Sequence, residues 1–206
     1  VSAAVSISDT SVELVYFAGP EETNLSVTPG GNGENLQSTI FHITATDVTL
    51  QGFNISEDWS RAGIVVDGDN AIVEHNLIKD PGNSADLIGY GVSVGGDSGA
   101  DATNATVANN EIQLVEDKGT TEITGADWVA GIGVLSNGDS HQFENNVIEG
   151  NDVLQDANEQ YGIRVGTDVG NFNDVNAVPN TDIHSNTISN VKFGIATNGG
   201  TNGASD

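Results

Sequence analysis

The chain repeats itself, and that repeat limits its fold more than any other feature. A small or aromatic residue, then glycine, then two β-forming residues one position apart, recurs as Ala62-Gly63-Ile64-Val65-Val66, Tyr90-Gly91-Val92-Ser93-Val94, Ala130-Gly131-Ile132-Gly133-Val134, Tyr161-Gly162-Ile163-Arg164-Val165 and Phe193-Gly194-Ile195-Ala196-Thr197. Between these copies lies a second unit with asparagine in its fourth place: Val73-Glu74-His75-Asn76-Leu77-Ile78, Val107-Ala108-Asn109-Asn110-Glu111-Ile112, Phe143-Glu144-Asn145-Asn146-Val147-Ile148 and Ile183-His184-Ser185-Asn186-Thr187-Ile188. Leu50-Gln51-Gly52-Phe53-Asn54-Ile55 is an earlier, degenerate copy.

Within each unit apolar residues alternate with polar or small ones over a few positions, the period of short strands with one face buried. No helical spacing is sustained. The asparagines are 34 (76 to 110), 36 (110 to 146) and 40 (146 to 186) residues apart, so the core motif is constant while coil length varies. The surplus leaves as loops rich in Gly, Asn, Asp and Thr, at 80–86, 95–103, 117–127, 151–160 and 167–180. The recurring asparagine suits a tight turn that needs a left-handed residue. Stacked coils are expected to align Asn76, Asn110, Asn146 and Asn186 into a hydrogen-bonded ladder.

These motifs, Gly-Ile-x-Val and Val-x-x-Asn-x-Ile, resemble the repeats of the pectin-lyase-like superfamily, including haloarchaeal surface proteins that carry them. The resemblance covers about residues 39–197 and implies an all-β fold. The expected fold is a single-stranded right-handed parallel β-helix, a solenoid with loop insertions between coils. Residues 1–38 read as a first coil or cap, and residues 198–206 as a Gly/Asn-rich tail or a link to a missing part. A packing repeat says little about activity.

Charge narrows the setting. Asp and Glu total 30 against 5 Lys plus Arg, a formal charge of -25, yet Val, Ile and Leu recur throughout, so this is a folded acidic chain and not a disordered tail. Molar salt shortens the Debye length to about 3 Å and removes most of the self-repulsion, which points to a halophile. The competing explanation is a chain whose carboxylates bind calcium. Arg61, Lys79, Lys118, Arg164 and Lys192 are scattered singly, which excludes a nucleic-acid partner and an anionic membrane surface. There is no Cys, hence no disulfide or thiolate chemistry, and no apolar run long enough to span a membrane.

Enzymes of the resembled fold act on the outside of one strand column, here Val65, Ser93, Gly133, Arg164 and Ala196. Polygalacturonase-like hydrolysis needs clustered carboxylates, and this column has none. Lyase chemistry would have to use Arg164 with Asp67, Asp97 or Asp168, but the plainer reading of Arg164 is a surface cation paired with a neighbouring acid. Asp80-Pro81-Gly82-Asn83 lacks the histidine and second aspartate of the epimerase-like run and reads as a turn. His42, His75, His141 and His184 show no metal-ligand spacing. The acidic turns at Asp67, Asp69, Asp168 and Asp174 offer the oxygen ligands of a calcium site, or are simply the turns of an acidic chain. Sequons stand at Asn24, Asn54 and Asn104.

The last motif, Phe193 to Thr197, runs into Asn198-Gly199-Gly200 with nothing large and apolar to cover a core. An uncovered coil is a template for another chain, either a stacked subunit or a larger parent chain. The expectation is a non-enzymatic structural or adhesive protein, extracellular or on the cell surface, assembling through open helix ends and displaying loops and glycans. Its alternatives are a polysaccharide lyase or glycoside hydrolase, and a tailspike-like module that binds polysaccharide or surface glycan through Trp59, Trp128, Tyr90 and Tyr161.

Overall fold

The computed structural model describes residues 5–7, 13–15, 39–55, 62–80, 89–95, 102–114, 129–136, 145–155, 161–167, 181–191 and 193–197. Its strands form three sheets in which every described pairing is parallel and each strand lies beside its counterpart one coil away. The chain is therefore a parallel β-helix solenoid. The first sheet stacks Val5–Ile7, Thr39–Ile43, Ala62–Val66, Gly89–Val94, Val129–Ser136, Tyr161–Thr167 and Phe193–Thr197. The second stacks Glu13–Val15, Thr49–Gln51, Ile72–Glu74, Thr106–Ala108, Asn146–Glu149 and Thr181–His184. The third stacks Asn54–Ile55, Leu77–Asp80, Glu111–Leu114, Asp152–Gln155 and Thr187–Ser189. Val5–Ile7 and Glu13–Val15 pair with the strands of the next coil, so strands before residue 39 belong to the same stack.

Alternation along each strand sends one row of side chains inward, and parallel register places like upon like. The core is thus built from aliphatic columns: Ile64, Val92, Ile132 and Ile163 from the first sheet, Leu50, Val73, Val107 and Ile148 from the second, Ile55, Ile78, Ile112 and Val153 from the third. Each is fully buried, and each such side chain contributes about 1.5–3 kcal/mol relative to leaving it in water.

The motif glycine is a packing requirement. A Cβ on Gly91 would lie 2.5 Å from Ile112 Cγ2, on Gly131 2.3 Å from Val153 Cγ1, and on Gly162 2.3 Å from Ile188 Cγ2. These glycines face inward where the first and third sheets meet, and any side chain would force the two apart.

The corner between the second and third sheets carries the ladder, with one rung different from the expected set. Asn76, Asn110, Asn151 and Asn186 form it, spaced 34, 41 and 35 residues apart. Asn146 does not belong. It stands at the corner between the first and second sheets, where Val48, Ala71 and Ala105 stand in other coils. There it accepts from the Ala105 N–H (2.8 Å) and donates to the Ala102 carbonyl (3.1 Å). The error arises because this coil fits the motif twice, the second time as Ile148-Glu149-Gly150-Asn151-Asp152-Val153, and the core accepts Ile148 only in the second-sheet column. Consequently the expected loop at 151–160 begins as a rung and a strand, Asp152–Gln155.

The backbone reason for the asparagine also changes. The left-handed residue is the one before each rung: Gly52 (φ 79°), His75 (54°), Asn109 (55°), Gly150 (64°) and Ser185 (58°). The asparagine itself is selected for its amide. Asn110 Oδ1 accepts from both the backbone N–H and the Nδ2 of Asn76, while its Nδ2 donates to the Val73 carbonyl and to Asn151 Oδ1. Asn151 repeats this set, and Asn76 repeats it except that its Oδ1 accepts only the Phe53 N–H, so a buried polar column carries satisfied groups.

Candidate functional site

Most of the outer face of the first sheet is covered. Val65, Ser93 and Arg164 are buried although their positions point away from the core, and Val65 packs in a second apolar cluster with Ala62, Tyr90, Ala130 and Leu135. Tyr90 organises this face. Its ring lies over Gly133, where a Cβ would come within 2.7 Å of it, and its hydroxyl accepts a 2.6 Å hydrogen bond from the Arg164 guanidinium. Arg164, 1% exposed, is therefore not the surface cation its sequence context suggests; it is locked beneath the face. The same packing consumes Tyr90, while the Tyr161 ring stacks on Phe193 with centroids 5.3 Å apart. Trp59 and Trp128 lie outside the described residues.

The lyase pairing of Arg164 with Asp67 fails on distance. Along the column, His42, Val65, Ser93, Gly133 and Arg164 succeed one another, so Asp67 and Arg164 lie three coils apart, about 14 Å at about 4.8 Å per coil. At that distance a calcium held by Asp67 would not stand beside a base at Arg164. Asp97 and Asp168 lie outside the described residues.

The candidate calcium carboxylates have other occupations. Asp67 Oδ2 lies 2.6 Å from His42 Nε2, and Asp67 Oδ1 is buried without a hydrogen-bond partner. Asp69 Oδ1 accepts from the backbone N–H (2.9 Å) and the hydroxyl (2.6 Å) of Thr103. Among the described residues no three histidine or carboxylate side chains gather into a metal-holding group. Asp168 and Asp174 lie outside the described residues.

Asp69 belongs to a second polar column, at the corner between the first and second sheets. Asp47 (φ 59°), Asn70 (55°), Asn104 (54°) and Asn145 (43°) are left-handed there. Asn70 Nδ2 donates to Asp47 Oδ1, and Asn104 Nδ2 to Asn70 Oδ1. The sequon residue Asn104 is exposed on this corner, but its amide nitrogen is engaged at 3.2 Å. Asn54 is half-buried, with Oδ1 buried and without a hydrogen-bond partner; Asn24 lies outside the described residues.

The remaining candidate is the coil at the C-terminal end of the stack. Ile195 is 53% exposed, whereas its equivalents Ile132 and Ile163 are buried; Phe193 is 46% exposed and its register partner Tyr161 half-buried. A Cβ added to Gly194 would meet nothing within 4 Å. Asn186 closes the ladder: it accepts from the N–H and Nδ2 of Asn151 and donates to the carbonyls of Ile148 and His184. This surface carries the apolar places, strand edges and amide rung that every inner coil buries against its neighbour. It can pair a strand and cover apolar area. Neither protein-family models, curated proteins nor solved structures gave a match to this chain.

Proposed function

We propose that this chain is a non-enzymatic structural or adhesive β-helix, extracellular or at the cell surface of a halophile, of the kind its repeats resemble among pectin-lyase-like haloarchaeal surface proteins. Its rigid stack displays corner loops and, at Asn104 or the other sequons, glycans. It assembles through the exposed terminal coil. The observation that carries this reading is the cover of the outer strand column, in which Val65, Ser93 and Arg164 are buried and, among the described residues, no open row of carboxylates stands. A charge of -25 suits a surface bathed in salt, where screening removes the mutual repulsion of neighbouring chains.

The test is a panel of acidic and neutral polysaccharides incubated with the purified protein in molar salt with calcium, read for reducing ends and for unsaturated uronate. No turnover is expected. Product from any member of the panel would overturn the non-enzymatic reading and send attention back to Arg164.

A further inference from the structure

Two sequon asparagines fall among the described residues, and their surroundings set them apart. Asn54 lies in the strand Asn54–Ile55, on its outward side, because Ile55 is fully buried in the core. Its register partner Leu77 is 7% exposed and its own Oδ1 is buried, so the amide head is enclosed. A sugar on that nitrogen would have to displace what encloses it. Asn104 is exposed, at the corner between the first and second sheets, with φ 54°. Ala105, 1% exposed, turns inward and gives its N–H to Asn146 Oδ1, which sends Asn104 and Thr106 out on the same side. The amide and the hydroxyl of this sequon therefore share one face.

Four left-handed residues stack in the corner column, one to a coil: Asp47, Asn70, Asn104 and Asn145. Asp47 is followed two places on by Thr49 but has no amide nitrogen, whereas Asn70 and Asn145 have the amide but are followed by Ile72 and Val147. Of the four, Asn104 joins amide and hydroxyl. Beside it, Ile72 is the register partner of Thr106 one coil away, and it is left 36% exposed in the middle of the second sheet. At about 4.8 Å per coil and about 3.3 Å per residue, Ile72 stands at most about 8 Å from Asn104, Cα to Cα. That places an uncovered apolar side chain next to the first sugar of a glycan at Asn104.

We propose that Asn104 carries a glycan in the folded protein and that Asn54 does not. This rests on the reading of the chain as a surface protein. The donor is a sugar held on a lipid phosphate or diphosphate. Asn104 Nδ2 attacks the anomeric carbon, the bond from that carbon to the phosphate oxygen breaks, and the lipid phosphate leaves with the electron pair. One amide hydrogen passes as a proton to a carboxylate of the transferase. The product amide keeps one N–H, which is all that the single bond to Asn70 Oδ1 requires, so the corner column stays closed under the modification.

The test takes the full chain, purified from the cells that make it, and reads the peptides spanning Asn54 and Asn104 by mass spectrometry beside those of a Thr106→Ala chain. A sugar mass is expected on the Asn104 peptide and none on the Asn54 peptide. Thr106→Ala is expected to lose that mass while keeping the circular dichroism of the folded parent. A bare Asn104 peptide, sugar on Asn54 of folded molecules, or a Thr106→Ala chain that keeps its sugar would each overturn the assignment. Labelling intact cells with a membrane-impermeant reagent separates this from the surface reading. A chain labelled at the surface but bare at Asn104 sinks the glycan and leaves the surface reading standing, whereas a chain shielded from the reagent sinks both.

Discussion

Replacing Asn110 with leucine tests the ladder where it is most deeply committed. The two side chains are close in volume, so the main loss is in hydrogen bonds. Asn110→Leu removes the acceptor of the Asn76 N–H and of one Asn76 Nδ2–H, and the donor to the Val73 carbonyl. Asn151 Oδ1 keeps the Asn110 backbone N–H and is not orphaned. Three buried groups are left without a partner, at about 1–3 kcal/mol each; allowing for partial relaxation, we expect a loss of about 3–6 kcal/mol. That is a large share of the about 5–15 kcal/mol available to a typical domain. Asn146→Leu orphans two groups, the Ala105 N–H and the Ala102 carbonyl, and should cost about 2–4 kcal/mol. Asn186→Leu, at a half-exposed rung where water can replace the amide, should cost about 1 kcal/mol. The assay is denaturant unfolding in molar salt followed by circular dichroism, with slopes compared so that a change in cooperativity is not mistaken for a change in stability. If Asn110→Leu costs no more than Asn186→Leu, the argument from orphaned groups is wrong.

Gly131→Ala should cost about 2–4 kcal/mol, because its Cβ would overlap the Val153 side chain where two sheets meet; the unfolding midpoint reports it, and a neutral result would mean that the sheets can part. Tyr90→Phe removes the hydroxyl that accepts from buried Arg164, and should lower stability by about 1–3 kcal/mol, with Tyr161→Phe as the milder control. Raising sodium chloride from about 0.1 M to molar should raise the melting temperature, the Debye length falling from about 10 to about 3 Å around a chain of charge -25; a flat or falling curve would contradict the halophilic reading. Chelation of divalent ions should leave that melting temperature unchanged in molar salt, since Asp67 and Asp69 already have His42 and Thr103 as partners; a marked drop would point to calcium at the acidic turns.

The architecture is legible in the sequence because the period of two, the inward glycine and the aliphatic columns all repeat together. Corners are less legible. Asn145-Asn146 and Gly150-Asn151 both satisfy a motif of left-handed residue plus asparagine, and only core register, with Ile148 opposite Val107 and Ile183, chooses between them. Burial of the outer face is not legible at all. Alternation says that Ser93 and Arg164 point away from the core, and says nothing about whether water meets them there. Nor does anything local link His42 to Asp67, which lie 25 residues apart and meet only because one coil rests on the next. The engaged amide of Asn104 was hidden for the same reason: a sequon is three residues, whereas its partner Asn70 is a whole coil away.

Stacking by parallel register gives the molecule a direction of mechanical weakness. Inter-coil hydrogen bonds run along the long axis, so tension between the two ends loads them one layer at a time, as when a coiled rope is paid out. Each rung interval holds 34 to 41 residues of contour. At about 3.3–3.6 Å per extended residue, a coil that occupies about 4.8 Å of axis releases about 110–150 Å of chain. A stack held at one end would yield under load by stepwise lengthening, with each layer a separate shock absorber.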